Sequence, residues 1–448
     1  MKPASISSNR AFETGEPVSV DGARMTENKP TRFSGEDTSF LRALARHVKD
    51  AAADPRMAER RRHWTLHNDL KPTTPIVWLS PEGSWRELVP DAALCCVDGE
   101  ARDMERELLM RLYRYEHFDD ASVIETRWEV PKAIETDDWG MRAEWRRSAE
   151  ALGARTFKPV LHDPADLKKL HMPVVTHDET ETERRFTLSR ETFGDIMDVI
   201  LVGKSHMAFG LMDLFTSWHG LEETMIDMCE RPAFIHDAMR LITEGFRGIV
   251  RQLEAQDLLC LNNNDTYHSS GGNGWTEELP AAGFDGHHVR PADMWASAQS
   301  QELAQVSPAM HRAFAIDYEK ELLAPFPRVG YGCCEDLTRK LDDVLAIPGI
   351  RRVSISPWAD VEACAARLKG SCIFSWKPQP AHLVGRFDEQ AVKEYIRRTV
   401  NVCRENGCHL EMILKDTHTC ENHGERFDRW ASIAQNVVAE AWQGSNHG

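Results

Sequence analysis

The chain has 448 residues, with 54 Lys plus Arg against 71 Asp plus Glu, a formal charge of −17 and 42% hydrophobic residues. That acidic balance, with no basic cluster beyond Arg60-Arg61-Arg62, argues against a surface built to track nucleic-acid phosphates. No apolar run approaches the roughly 20 residues needed to span a bilayer, so neither nucleic acid nor a membrane is an expected partner.

Residues 1–36 are rich in Ser, Glu, Pro, Gly and Asn and lack the apolar core, about 7–15 residues long, of a secretory signal. They read as a disordered or draped tail. The 11 cysteines, unevenly spaced with two adjacent pairs, read as reduced thiols of a cytoplasmic protein rather than a disulfide framework. Segment 37–170 reads as an N-terminal elaboration with the first barrel elements, with helices over 40–50 and 101–114 and a strand over 76–79. Segment 171–448 reads as the main barrel. It begins with a short strand at 174–175 and a helix over 190–198.

From residue 233 a regular rhythm sets in. Ile235, Met239, Ile242, Phe246, Ile249, Val250 and Leu253 recur at three- and four-residue spacing, which predicts a helix over 233–257. A strand at 258–261 follows, then helix around 298–323, strand 328–330, helix 336–346, strand 352–356 and helix 360–368. Strand 372–375, helix 388–405, strand 410–414 and helix 425–442 complete the chain. Strands alternating with amphipathic helices are the pattern of an α/β protein with a parallel sheet. Five such units in the second half favour a closed (β/α)8 TIM barrel with an elaborated helical N-terminal section over an open sheet.

In a barrel of parallel strands the chemistry lies in the loops that follow the strands. Those loops carry Asn262-Asn263-Asn264-Asp265, Tyr331-Gly332-Cys333-Cys334-Glu335, Ser356-Pro357-Trp358, Trp376-Lys377 and Lys415-Asp416-Thr417-His418-Thr419-Cys420. Cys333, Cys334, His418 and Cys420 are soft-metal ligands, and a catalytic zinc takes three protein ligands with a fourth position open. Tyr331 and Glu335 are alternative oxygen donors. The other eight cysteines read as small hydrophobes on strands and helix faces, and His287-His288 as turn residues. Asp265, Glu335 and Asp416 are the candidate acid/base groups. Asn262 and Asn264 offer amides to a polar substrate, although Asn-rich runs also build turns. Tyr331, Trp358, Trp376 and Lys377 are the remaining candidates for lining a substrate pocket, with the tryptophans able to stack on a planar or cationic group.

Taken together, 330–337 (Gly-Tyr-Gly-Cys-Cys-Glu-Asp-Leu), Ser354-Ile355-Ser356-Pro357-Trp358-Ala359-Asp360, the Ser270-Gly271-Gly272 loop before Glu278-Leu279-Pro280, and Leu414 to Cys420 resemble the uroporphyrinogen-decarboxylase-like superfamily. Gly220-Leu221-Glu222 and Glu230-Arg231-Pro232 are similar to it too. The resemblance spans roughly residues 75 to 440 and implies a TIM barrel. It also implies either decarboxylation or zinc-dependent methyl transfer to thiols, corrinoids or tetrahydrofolate. The Arg-Gln-Ala-Gly-Arg signature of the decarboxylase itself is absent, which favours the methyltransferase branch. That branch carries His-x-Cys after one strand and a further Cys after the last. Here the first reads Tyr331-Gly332-Cys333, so Cys333 and Cys420 carry over and the third ligand is open among Cys334, Glu335 and His418.

The resulting expectation is a zinc-dependent methyltransferase or demethylase that moves a one-carbon group from a small O-methyl, N-methyl or alkyl-halide substrate to tetrahydrofolate or cobalamin. A corrinoid protein is a candidate partner, and a homodimer a candidate assembly. A metal-free decarboxylase or lyase of a carboxylated aromatic is the second reading, and a non-catalytic corrinoid-docking barrel the third. An Asp-x-His-x-x-Gly corrinoid motif is absent, since Asp416-Thr417-His418 continues Thr419-Cys420-Glu421.

Overall fold

A computed structural model describes residues 30–146 and 156–443. Most of the expected tail lies outside the described residues. Its last part is ordered: Phe33 is buried, and the Ser34 hydroxyl accepts from the Asp37 amide to cap the helix Gly35–Ala52.

Seven parallel strands form the central sheet: β1 (Ile76–Leu79), β2 (Ala208–Phe209), β3 (Trp295–Ala298), β4 (Arg328–Tyr331), β5 (Ile350–Ile355), β6 (Ile373–Trp376) and β7 (His409–Leu414). Their spatial order is β1-β7-β6-β5-β4-β3-β2, so the first strand lies beside the last and the others follow in sequence. Register aligns their C-terminal ends, with Leu79 opposite Leu414 and Ile355 opposite Trp376. The loops after β1, β4, β6 and β7 therefore leave the sheet on one side. Long helices such as Pro232–Ala255, Glu389–Glu405 and Glu425–Gln443 flank it, the first burying Ile235, Met239 and Ile242. An α/β fold with a parallel sheet is thus established.

A closed eight-stranded barrel is not shown among the described residues: the continuous ladder ends at β1 and β2. The strands that could fill the gap, Arg127–Pro131 and Asp198–Val202, pair with each other in a separate parallel ladder. At the outer edge of β1 the Ala121 amide donates to the Val77 carbonyl at 2.8 Å, and the Asp120 carboxylate accepts from the Leu79 amide at 2.9 Å. The strand expected at 258–261 reduces to one bridge between Leu259 and Lys204.

Other expectations shift. Over 298–323 the chain first completes β3 and then runs through a 3-10 turn (Gln301–Leu303) and the helix Pro308–His311. A π-helical turn (Arg312–Ile316) and the helix Asp317–Leu323 follow. The helix expected over 336–346 is confined to Leu341–Leu345, and in place of the one expected over 190–198 the helix Glu179–Phe193 ends early in that range, after which Asp198–Val202 is a strand. The helix Pro55–Asn68 was not expected; Asp54 caps it and Pro55 fits its first turn. A large apolar cluster surrounds the sheet, and a second, including Leu41, Trp64, Leu108 and Phe193, fills the N-terminal helical layer and meets the sheet at Ile76 and Ile413. Among the described residues no helix is long and apolar enough to cross a membrane.

Candidate active site

The loops after β1 and β7 are joined by hydrogen bonds. The Ser80 amide donates to the Leu414 carbonyl at 2.8 Å and the Ser84 amide to the Thr417 carbonyl at 2.9 Å, while the Asp416 amide donates to the Glu82 carboxylate at 2.9 Å. Both Glu82 (φ 44°) and Asp416 (φ 58°) hold the left-handed backbone region. That conformation is costly for residues with a Cβ and tends to cluster at functional sites. The third contributor is the Ser270-Gly271-Gly272 loop, which lies close over the sheet. A Cβ at Gly271 would fall 2.6 Å from Ile413 Cγ2, and one at Gly272 2.8 Å from the Arg352 guanidinium, so only glycine allows this approach.

These loops bring Ser270, Cys333, Cys334, Lys415, Asp416 and Glu82 together. The Cys333 and Cys334 sulfurs are 3.4 Å apart. Around Cys333 Sγ stand Ser270 Oγ at 3.6 Å and Lys415 Nζ at 4.0 Å; Cys334 Sγ faces Asp416 Oδ2 at 3.7 Å. Lys415 Nζ also meets Asp416 Oδ1 at 3.1 Å and Ser270 Oγ at 3.4 Å. The single Cys334 proton therefore faces both the neighbouring sulfur and a carboxylate. The hydrogen bond from Cys334, helped by Lys415 and opposed by burial, lowers the Cys333 thiol below its ordinary range, and the same pairing raises Cys334. Burial pushes the Glu82 carboxyl up to about 7; Lys415 opposes this, while Asp416 and Cys333 add to it. Burial alone would lower Lys415, but Tyr267, Cys333, Asp416 and Glu82 outweigh it and raise the ammonium well above its ordinary range. The cluster thus holds one lasting cation, one easily ionised thiol and one carboxyl that keeps its proton to near neutrality.

Below it the sheet interior is polar. Arg352, fully buried, donates from Nε to Glu411 Oε1 at 2.9 Å and from Nη2 to Asn68 Oδ1 at 2.7 Å, with its guanidinium 5.3 Å from the Trp295 ring centre. His67 Nε2 lies 3.2 Å from Glu411 Oε2, and the Ser375 hydroxyl donates to Glu411. Lys377 Nζ, at the end of β6, donates to Ser375 Oγ at 2.5 Å and to the Ser375 carbonyl at 3.2 Å.

Not every sequence candidate reaches the cluster. Glu335 is buried and supports it from behind, accepting from the Cys333 amide at 2.7 Å and the Ser300 amide at 3.5 Å. Tyr331 points away from the cluster, donating to Glu319 at 2.8 Å with His311 Nε2 at 3.1 Å. Asp265 is exposed and ion-paired with Arg127 at 2.8 Å. The Asn262 side chain is fully used inside the protein: Nδ2 donates to the Ser205 and Trp295 carbonyls, and Oδ1 accepts from the Trp295 amide. Asn264 Oδ1 accepts from the Thr266 amide at 2.8 Å, which makes it a turn residue. Trp376 is buried against Tyr395, ring centres 5.0 Å apart, whereas Trp358 is 69% exposed, so the two do not wall one pocket. Of the cysteines read as packed hydrophobes, Cys95 and Cys229 are exposed. His287 and His288 do sit in a turn, their amides donating to Asp285.

The expected zinc ligands divide. Cys333 and Cys334 lie in the cluster, but the loop beyond Asp416 turns aside. His418 is exposed, its carbonyl accepting from Arg86, and the Cys420 thiol is buried and donates to Glu87 at 3.2 Å. Among the described residues no group of three or more His, Cys, Asp or Glu side chains is placed to hold a metal. Lys415 already supplies positive charge beside the Cys333 sulfur, and an ammonium there repels a divalent cation. The arrangement does not fit zinc. Glu82, Lys415 and Ser270 were not singled out from the sequence. Lys415 directly follows β7, and Glu82 follows β1 by three residues, so the rule that directs attention to strand ends reaches both.

No family model matches this chain, and no curated protein matches it. Among the solved structures that do match is a methyltransferase from Methanosarcina mazei, 10% identical, aligned over 84% of this chain and 98% of that one with a TM-score of 0.48. A superposition of that quality carries no residue's role from one chain to the other.

Proposed function

We propose that the chain is a methyl-transfer enzyme of the uroporphyrinogen-decarboxylase-like kind, with its α/β sheet read as a barrel and its chemistry centred on Cys333, Lys415 and Glu82. The observation that carries this reading is the convergence of a thiol, an ammonium and a carboxyl raised by burial at the C-terminal ends of β1, β4 and β7. The motifs around Cys333 and Asp416 add to it. Displacing a methyl group from oxygen, nitrogen or halide leaves negative charge on the leaving heteroatom. Glu82 is the general acid that protonates an oxygen or nitrogen leaving group, and Lys415 stabilises the charge in a site of low dielectric. These two groups supply the charge stabilisation that the resemblance assigns to zinc. Tetrahydrofolate or a corrinoid, free or carried by a partner protein, is the proposed acceptor.

Transfer of 13C-methyl from a panel of small methyl donors to tetrahydrofolate and to reduced cobalamin, followed by NMR, tests the reading. The wild type should transfer label, with a rate that falls as pH rises through about 7, where Glu82 loses its proton. Glu82→Gln should lower the rate about 100-fold and remove that fall. Carbon dioxide release from carboxylated aromatics, with no methyl transfer, would replace this reading by the decarboxylase one. The buried Arg352 guanidinium and the Lys377 amine below the cluster favour that second reading, as groups able to receive a substrate carboxylate.

A further inference from the structure

The adjacent thiols have an arrangement that methyl transfer does not require. Cys333 and Cys334 are both partly exposed at the strand ends, while Cys364, Cys372, Cys403, Cys408 and Cys420 are buried. Their sulfurs approach to 3.4 Å, and the two face unlike partners: an ammonium and a hydroxyl for Cys333, a carboxylate for Cys334. We propose that the pair is a thiol–disulfide exchange site that takes a low-molecular-weight disulfide and closes to a bond between Cys333 and Cys334.

The roles follow from the neighbours. Cys333, with Lys415 and Ser270 to stabilise its thiolate, attacks one sulfur of the incoming disulfide. The Cys333–S bond forms, the S–S bond of the reagent breaks, and the first small thiolate leaves and takes a proton from water. Cys334 passes its proton to Asp416 and attacks Cys333 Sγ. The second small thiolate leaves and accepts that proton. Two protein thiols are oxidised to one disulfide and the reagent is reduced to two thiols, so electrons and protons balance. Neighbouring Cα atoms are only about 3.8 Å apart, short of the usual span of a disulfide of roughly 4.4–6.8 Å. A ring closed over one peptide is therefore easily reduced again, and the exchange is reversible. Closure takes the Cys333 sulfur out of the site.

Full-length protein is treated with excess glutathione disulfide near neutral pH and then analysed by intact mass and by tryptic mapping. Cleavage after Arg328 and Arg339 places both thiols in one peptide. The expected result is loss of two hydrogens in that peptide, restored by dithiothreitol. Cys334→Ser should stop at a glutathione adduct on Cys333, and Asp416→Asn should accumulate the same adduct on the way to closure. A stable glutathione adduct on wild-type Cys333, no reaction at either thiol, or a new disulfide elsewhere such as Cys403 with Cys408 would overturn the proposal. The wild-type map decides even if a variant fails to fold, and the readout is independent of any methyl-transfer assay.

Discussion

Two lysines follow consecutive positions in the sheet, Lys377 after β6 and Lys415 after β7, and both are buried. Their amines are nonetheless pushed in opposite directions. Burial lowers Lys377 to about 7; Glu411 opposes this, but Lys415 and Arg352 reinforce it. Lys415 suffers burial too, yet Asp416, Glu82, Cys333 and Tyr267 surround it and raise it. The strand end alone therefore does not decide what a side chain can do. The loops that fold back over it supply the charges, and the β7 end receives the acidic and thiol groups while the β6 end receives cations.

The contrast between the two lysines rests in part on Arg352, whose loss has the largest expected effect. Arg352→Met leaves Glu411 buried without its main partner, and urea unfolding should show a loss of about 3–5 kcal/mol. Lys377, now beside an unpaired carboxylate, should become charged. Next, Lys415→Met removes the lasting cation while keeping an unbranched side chain, and methyl transfer should fall about 100-fold or more. The pH midpoint for alkylation of Cys333 by iodoacetamide should rise in the same variant. An unchanged midpoint would show that Lys415 does not govern the thiol.

A smaller effect belongs to Lys377 and runs through proton linkage. Its amine is lowered to about 7 in the folded chain, whereas the unfolded chain keeps the ordinary value of about 10.4. Between those values the unfolded state binds the extra proton, so this group makes stability rise with pH, with a slope of at most about 1.4 kcal/mol per pH unit. Lys377→Met should remove that slope between about pH 7 and 10 while the curve below pH 7 keeps its shape. The smallest effect should come from His418→Ala. The exposed imidazole makes no contact with the cluster, so transfer should stay within about twofold; a large loss would return His418 to the site.

Much of the second half was legible. Strands β4 to β7 and the helices Pro232–Ala255, Glu389–Glu405 and Glu425–Gln443 fall close to their expected ranges, because long apolar stripes and β-rich runs leave a periodic trace. β2 is two residues long and β3 reads Trp-Ala-Ser-Ala, too short or too small in side chains to leave one. In the site, Cys333, Cys334 and Asp416 were legible because they are thiols and a carboxylate in the loops that follow strands. Cys420 was misplaced because spacing cannot show that the loop beyond Asp416 turns aside, which takes the Cys420 thiol to Glu87 instead. Glu82 and Lys415 both lie within reach of the strand-end rule, but Glu82 enters the cluster through a 3-10 turn, and the charges that gather around Lys415 come mostly from loops distant in sequence.

Asp120 has a consequence of a different kind. The last strand of a hydrogen-bonded ladder can leave unpaired amides on its outer side, and such an edge can recruit a strand from another molecule. Here the carboxylate and the next backbone amide occupy hydrogen-bonding groups of Leu79 and Val77. The outer side of β1 is thus occupied by the chain itself. Asp120 and the backbone that follows it cover the outer side of the strand from which the Glu82 loop departs.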